Sequence, residues 1–587
     1  MPHNVHRGDS FLFIATADGE CKSFVLALLL YFLLPFELIN SRYVQVKTVR
    51  DLQPQYEYII VGGGVAGILL ASRLSSDPNV FVLLLEAGEQ MPWFAHSPYF
   101  RYLFDSNEIS YGWNVTLSTY NNEPERWDYW RVLGGSSASG NSFYDIPSTS
   151  EWDAWAEDRQ LLDVWSSNTI DTAFISTRNA ATIDAKVRSL TIDSMTDKLR
   201  NAAIAEGFRI SDDITKKEKI GFSSTFYWLK SDGRSASVLD YLSSEVQSRF
   251  NLHILNGART TKIAFDMDGM ATGVSYIYEG RLHRVLVNRE VILSAGVIGS
   301  PHLLLLSGIG SDEQLQQFNI TPIRSLPAVG EQLAGPLSAT IHYDTDQDCS
   351  AEMNNSFVDW ITTTLCQNLN GIRFVNSICG RREDSLRKLA TLSATLSTST
   401  MNKNSNADFY VTFSPYCSQS KWAISVQVSL LNSYRSGSIR LQSSDASLPP
   451  IIEIQSREPF IDLLTKVALR VHSLFMTNSF AKLGIRTSRW QHKECNNDEP
   501  SERFFLCLIG KSRANLFPSH TSSCAMGNML TNSVVDKYLR VHGVKRLRVV
   551  DASVLPPIAS VRGALSSVLM LAERAAKIIS DAYRNTS

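Results

Sequence analysis

The chain has 587 residues, 44% of them hydrophobic and 19% charged, with a formal net charge of −2. That is enough apolar material for large buried cores and for more than one folding unit. The near-neutral balance provides no basic surface for nucleic acid or an anionic membrane, so a small molecule is the partner to look for.

The first recognisable element is Phe24 to Ile39, FVLALLLYFLLPFELI, interrupted by Pro35 and Glu37, preceded by Lys22 and followed by Asn40 and Ser41. A bilayer-spanning helix needs about 20 apolar residues. The stretch is therefore read as the core of a signal peptide within a leader at 1–41, although the polar segment Met1 to Cys21 is long for one. An uncleaved membrane anchor at 24–39 is the alternative. Secretion agrees with acceptor sequons at Asn114, Asn319 and Asn354. It also agrees with Cys349, Cys366, Cys379, Cys417, Cys495 and Cys507 as disulfide candidates, whose pairing, if any, stays open. No cysteine or histidine spacing suggests a metal site.

Tyr56 to Val61 (YEYIIV) predicts a buried parallel strand running into Gly62-Gly63-Gly64. A helix is predicted over Val65 to Leu74 and a second buried strand over Val80 to Leu85, which completes a βαβ unit. Gly62-Gly63-Gly64-Val65-Ala66-Gly67 satisfies GxGxxG. In that pattern Gly62 allows the turn, Gly64 lets the backbone approach a pyrophosphate, and Gly67 permits close helix–strand packing. The N–H groups at the helix start face the phosphates, aided by the helix dipole. Glu86, followed by Ala87, ends the second strand 24 residues after Gly62, near the roughly 20 expected of an acid that binds ribose hydroxyls.

The region from about Cys349 to Asn515 has a different texture. Ala423 to Leu431 and Gly437 to Leu441 alternate like antiparallel strands, and Phe460 to Phe475 predicts an amphipathic helix. Buried strands return at Val291 to Ser294 and Leu547 to Val550. Leu565 to Ile579 predicts a C-terminal helix with Glu573, Arg574 and Lys577 on its outer face. The fold class is thus α/β: a discontinuous doubly wound, Rossmann-like dinucleotide-binding domain around a β-rich (α+β) substrate domain.

Four segments carry a family resemblance. Tyr58 to Gly88, Arg131 to Ser137 (RVLGGSS), Glu290 to Gly310 and Val534 to Pro556 resemble, in order, the signatures of the glucose–methanol–choline (GMC) oxidoreductases. The similarity runs from about Tyr56 to Ile579, dense in the cofactor segments and thin in the middle. It implies FAD, with Val65, Ala66 and Gly67 at the pyrophosphate and Glu86 and Ala87 at the adenosine ribose. Gly134, Gly135, Ser136 and Asn141 would approach the isoalloxazine ring, Thr260 the adenine, and Asp551 and Ala552 the ribityl–pyrophosphate link. Independently, a polar residue ending an apolar parallel strand, as Asp551 does, lies at the carboxyl edge where open α/β sheets bind ligands. The division that follows is a leader at 1–41, FAD-binding parts at 55–150, 232–330 and 516–587, a cap at 151–231 and a substrate domain at 331–515.

The same resemblance implies oxidation of a CH–OH group, with hydride leaving for flavin N5 and a histidine taking the hydroxyl proton. The family histidine stands in a His-Pro-x-x-Thr-like context ending in Cys-x-Met. Here Pro518 to Gly527 holds that place, and His520 is its only histidine, one residue closer to Met526 than usual. The second family position, normally histidine or asparagine, falls near Arg562, which cannot accept a proton. Arg562 would either stabilise negative charge at the flavin or turn to solvent. The family's Asn-Leu-x-Asp-His run appears as Gln332 to Pro336. The substrate is a small-molecule alcohol, and the electron acceptor is unassigned. The alternatives are a lyase or cyclase on the same scaffold, resembling hydroxynitrile lyase or versicolorin B synthase, or a flavin-binding protein without catalysis.

Overall fold

The computed structural model describes residues 44–584 other than 45, 91–110, 112, 118–124, 128, 140–142, 179–184, 190–192, 215–219, 231–235, 351–390, 399–406, 456–459, 489–490, 492–494, 496–499 and 512–518. The apolar stretch 24–39, Asn141, Asn354, Cys366 and Cys379 lie outside the described residues.

Two sheets organise the chain. In the first, Gln55–Val61 sits between Arg281–Leu293 and Val82–Leu85, parallel to both, and Leu252–Leu255 flanks Val82–Leu85. The far half of Arg281–Leu293 also takes Leu547–Val549 in parallel, while its near half pairs antiparallel with Ala271–Tyr278, which pairs with Arg259–Phe265. Strands covered on both faces have no polar side, and Val82 to Leu85 and Val291 to Leu293 are accordingly buried throughout. Their registers align Val61 with Leu85 and Leu293, Leu85 with Leu255, and Leu293 with Val549. One carboxyl edge therefore presents Gly62, Glu86, Ser294 and the residues after Val549.

Helix Val65–Leu74 forms where the sequence analysis places it. The C-terminal helix is longer than expected, Ala564–Arg584. Glu573, expected on its outer face, instead binds Arg73 of the first helix at 3.0 Å, so this helix is tied to the βαβ unit.

Among the described residues the second sheet has ten strands, with Lys421–Arg440 at its centre. The two alternating runs at 423–431 and 437–441 form one 20-residue strand rather than two, because its long partner Leu333–Asp348 follows it across an irregularity between Pro336 and Ser338. Helix Ile461–Phe475 lays Leu464, Val467, Ala468, Val471, Leu474 and Phe475 into the core beneath that sheet. Disulfides join Cys349 to Cys417 and Cys495 to Cys507, and Cys524 is a buried free thiol. No helix among the described residues is long and apolar enough to cross a membrane.

Candidate active site

The glycine turn is built by close approach. Gly62 has φ +107°, and a Cβ there would stand 2.4 Å from Ser294 O. A Cβ on Gly67 would lie 1.9 Å from Gly62 O, so the helix can start only with glycine at that position. Gly64 differs, because a Cβ there would meet nothing within 4 Å. The backbone is thus bare beside open space at the amino end of helix Val65–Leu74, which is what a pyrophosphate requires. Val65 and Ala66 are buried in the first turn of that helix.

Glu86 closes the turn from the neighbouring strand. Its Oε2 accepts from Gly63 N and its Oε1 from Gly88 N, both at 2.7 Å. Burial raises its pKa, opposed by the Gly88 and Gly63 amides and by Arg131. Each oxygen keeps a further lone pair for a ribose hydroxyl, and Ala87 beside it is half-buried. Ala258 N donates to Glu86 O and Gly257 N to Gly88 O, which brings Thr260, buried in the next strand, to the same flank. Thr260 Oγ1 is buried with no hydrogen-bond partner among the described residues.

The segment beginning at Arg131 lies directly on the turn. Gly134 N donates to Gly63 O at 2.8 Å, and a Cβ on Gly135 would sit 2.9 Å from Gly64 Cα. Gly135–Ser139 continues as a 3₁₀ turn in which Ser136 is exposed.

Asp551 reaches the same edge from the C-terminal strand. Its Oδ2 accepts from Gly296 N at 2.9 Å and Ser300 Oγ at 2.5 Å, and its Oδ1 from Ser553 N at 2.8 Å. It therefore caps helix Gly296–Leu306 and the short turn Ala552–Val554 together. Burial raises its pKa against those hydrogen bonds. Ala552, half-buried, follows it at the carboxyl edge. Gly62 and Asp551 are linked through Ser294, whose N donates to Val61 O and whose Oγ donates to Val550 O. The residues expected to hold FAD thus converge and fit it, with Asn141 alone outside the described residues.

His520 stands two residues before Ser522, whose N donates to Ala552 O at 3.4 Å. Its ring is 2% exposed and stacks on Trp127 at 3.6 Å between centroids, with 22° between planes. Nδ1 is 2.7 Å from Tyr129 Oη. Burial raises the Tyr129 pKa, so its hydroxyl stays protonated. Thr521 pairs with Ala334, which sets the ring edge against Gly335: a Cβ there would be 2.8 Å from His520 Cδ2 and 3.1 Å from Nε2. The run Gln332 to Pro336 thus contributes an absence of side chain where the family pattern has aspartate.

Arg562 is not turned to solvent, since its side chain is 4% exposed. Its guanidinium is engaged by Asp145 and Glu151, each at 3.5 Å, and lies 5.0 Å over the Tyr410 ring. Two carboxylates face its charge inside the protein, so the expectation of an arginine turned to solvent is the one corrected. Trp127, Tyr129, Asp145 and Glu151 escaped the sequence reading, whereas Gly335 belongs to the departing run 332–336 already singled out there. The one usable signal was glycine in place of an acid at 335.

Two family models described as GMC oxidoreductase match residues 56–336 and 433–572. A glucose dehydrogenase [FAD, quinone] of Drosophila melanogaster is 28% identical, over 90% of this chain and 88% of its own. An ecdysone oxidase of Spodoptera littoralis is 27% identical, over 97% and 98%. Among solved structures, a formate oxidase superposes with TM-score 0.73 at 20% identity, covering 91% of this chain and 99% of its own. Pyridoxine 4-oxidase from Mesorbium loti gives 0.72 at 19%, covering 89% and 98%. These two likenesses establish the fold.

Proposed function

The chain belongs to the GMC oxidoreductase family and is an FAD-dependent enzyme, and on that premise we propose that it oxidises a CH–OH group of a small organic substrate, with His520 as proton acceptor. The observation that carries the reading is the convergence of the glycine turn, Glu86, the Gly134–Gly135 segment and Asp551 on one sheet edge, with His520 two residues before Ser522, whose N donates to Ala552 O. Bound FAD supplies the acceptor for the hydride that leaves the substrate carbon for flavin N5. The substrate O–H bond breaks, its proton passes to His520 Nε2, and the bonding pair left on oxygen becomes the second bond of C=O. Only the tautomer in which Nδ1–H donates to Tyr129 Oη leaves a lone pair on Nε2. Anaerobic mixing with a panel of alcohols tests the reading: the flavin absorbance should bleach, and His520→Ala should abolish the bleaching.

A second reading has its own support. His520 is enclosed, whereas Ser519, one residue earlier, is less buried, and its Oγ accepts from Ala564 N at 3.4 Å where the C-terminal helix begins. Counting back from Met526 in the family pattern puts Ser519 in the histidine's register. This favours a lyase, a cyclase or a non-catalytic flavoprotein. A protein that holds FAD but is bleached by no alcohol would select it.

The electron acceptor is a separate molecule, and export from the cell is part of the proposal. Its support is the pair of disulfides and the exposed sequon residue Asn319.

A further inference from the structure

The hydrogen-bond ladder of the first sheet continues for one residue beyond its strands. Gly62 N donates to Leu85 O at 2.8 Å and Glu86 N to Leu255 O at 2.9 Å. With Val61, Leu85 and Leu255 in register, Gly62, Glu86 and Asn256 stand side by side in the row that closes the carboxyl edge. The period of two assigns Asn256 to the face that carries Ile254, Leu84 and Ile60. That face is the one covered by helix Val65–Leu74, since a Cβ on Gly67 would stand 3.4 Å from Ile60 Cγ2. Asn256 is therefore on the side of the sheet where the glycine turn lies.

Backbone and side chain are treated differently at this residue. Gly257 N donates to Gly88 O at 3.0 Å and Ala258 N to Glu86 O at 2.8 Å, so the chain around Asn256 is tied directly to the segment that carries Glu86. The side chain is 6% exposed, yet Oδ1 and Nδ2 are both buried with no hydrogen-bond partner among the described residues. Thr260 Oγ1, four residues on, is in the same condition. A buried carboxamide left wholly unpaired is costly, and its place at a ligand edge points to a bound group as the missing partner.

We propose that Asn256 hydrogen-bonds the adenine of FAD and so selects the adenosine half of the dinucleotide. The inference rests on the FAD reading of the site. Neighbouring strands lie about 4.8 Å apart, so successive strand ends can serve successive groups of one extended ligand. The pyrophosphate would be taken up beyond the first strand, at the helix start beside Gly64, and the ribose beyond the second, by Glu86. The next group in that direction is the base, and the next strand end carries Asn256. Asparagine suits adenine, because its oxygen accepts from N6 while its amide donates to N7. A carboxylate there could only accept, and would stand beside Glu86 with the same charge.

The test uses the full chain stripped of flavin, as wild type, Asn256→Leu and Asn256→Ala. FAD affinity is read by flavin fluorescence titration, adenosine diphosphate and inosine diphosphate are compared as competitors for the site, and the apoprotein melting temperature is recorded. Both variants should bind FAD about ten- to a hundredfold more weakly, the scale of a carboxamide paired with adenine. Wild type should prefer adenosine over inosine diphosphate, and the variants should narrow that preference. Without ligand, Asn256→Leu should melt at or above the wild-type temperature, because an apolar side chain of similar size replaces an unpaired polar one. If Asn256→Leu does not fold, Asn256→Ala, which adds no bulk, carries the binding comparison. Unchanged FAD affinity would overturn the assignment, as would an unchanged preference between the two diphosphates. Either result leaves the FAD reading standing, whereas a wild-type chain that takes up no FAD would sink that reading and this inference with it.

Discussion

A single methyl group separates two glycines of the turn. At Gly67 it would lie 1.9 Å from Gly62 O, whereas at Gly64 it would enter space bounded by no protein atom within 4 Å. Gly67→Ala should therefore lower the stability of the apoprotein by about 1–3 kcal/mol as well as its FAD content. Gly64→Ala should leave the apoprotein melting temperature near wild type and weaken FAD binding alone, which a flavin fluorescence titration reads directly. Equal losses from both substitutions would show that the space at Gly64 is not the cofactor's. A parallel contrast holds around His520. Tyr129→Phe removes the group on Nδ1 and keeps the packing, so flavin should stay bound while its reduction by alcohol slows by about 10²-fold, the scale of acid–base catalysis. Gly335→Ala presses a methyl 2.8 Å from Cδ2 on a ring that Trp127 prevents from sliding, and should slow reduction as well, again with FAD retained.

Elements of the nucleotide half were legible because their environment is simple. A strand buried on both faces reads as an apolar run, and a charged residue at its end, such as Glu86 or Asp551, stands at the carboxyl edge where open α/β sheets bind ligands, even though both also accept from backbone amides there. Lys421–Arg440 was harder to read, because its alternation breaks where the irregular pairing with Leu333–Asp348 changes register. Helix Gly296–Leu306 shows a cost of such burial. His302 inside it has its pKa pushed down to about 4, first by burial and then by Arg259. The folded state thus disfavours the imidazolium, and the unfolded chain binds the extra proton. Stability from this group is complete above the unfolded value near 6.5 and falls as pH drops through the window to about 4, by roughly 3 kcal/mol. His302→Gln should flatten that part of the wild-type profile in urea melts at pH 7 and pH 4.5. A slope that the substitution leaves unchanged would assign the acid sensitivity to other groups.

On the scale of the molecule, the site is assembled across hundreds of residues. Tyr129 and His520 are separated by 391 positions and Asp145 and Arg562 by 417, so no local pattern announces either pair. The periodicity of the sequence reveals each core separately, and only the folded chain shows which side chains the two bring together. The cores also differ in their covalent support. Cys349, buried, and Cys417 and Cys495, partly buried, all belong to the cluster under the second sheet, whereas the core around the glycine turn holds the free thiol of Cys524. A bridge spanning 68 residues constrains the unfolded chain by about 4 kcal/mol in the loop-entropy account, and one spanning 12 by about 3. Reduction should therefore weaken the second sheet well before the nucleotide half. Heating with and without dithiothreitol, followed by hydrogen exchange in peptides from 333–348 and 55–74, measures the two separately. The reductant should raise exchange in the first peptide while the second keeps its protection and its flavin. Simultaneous loss in both would mean that the two cores unfold as one cooperative unit, with the disulfides serving the whole chain.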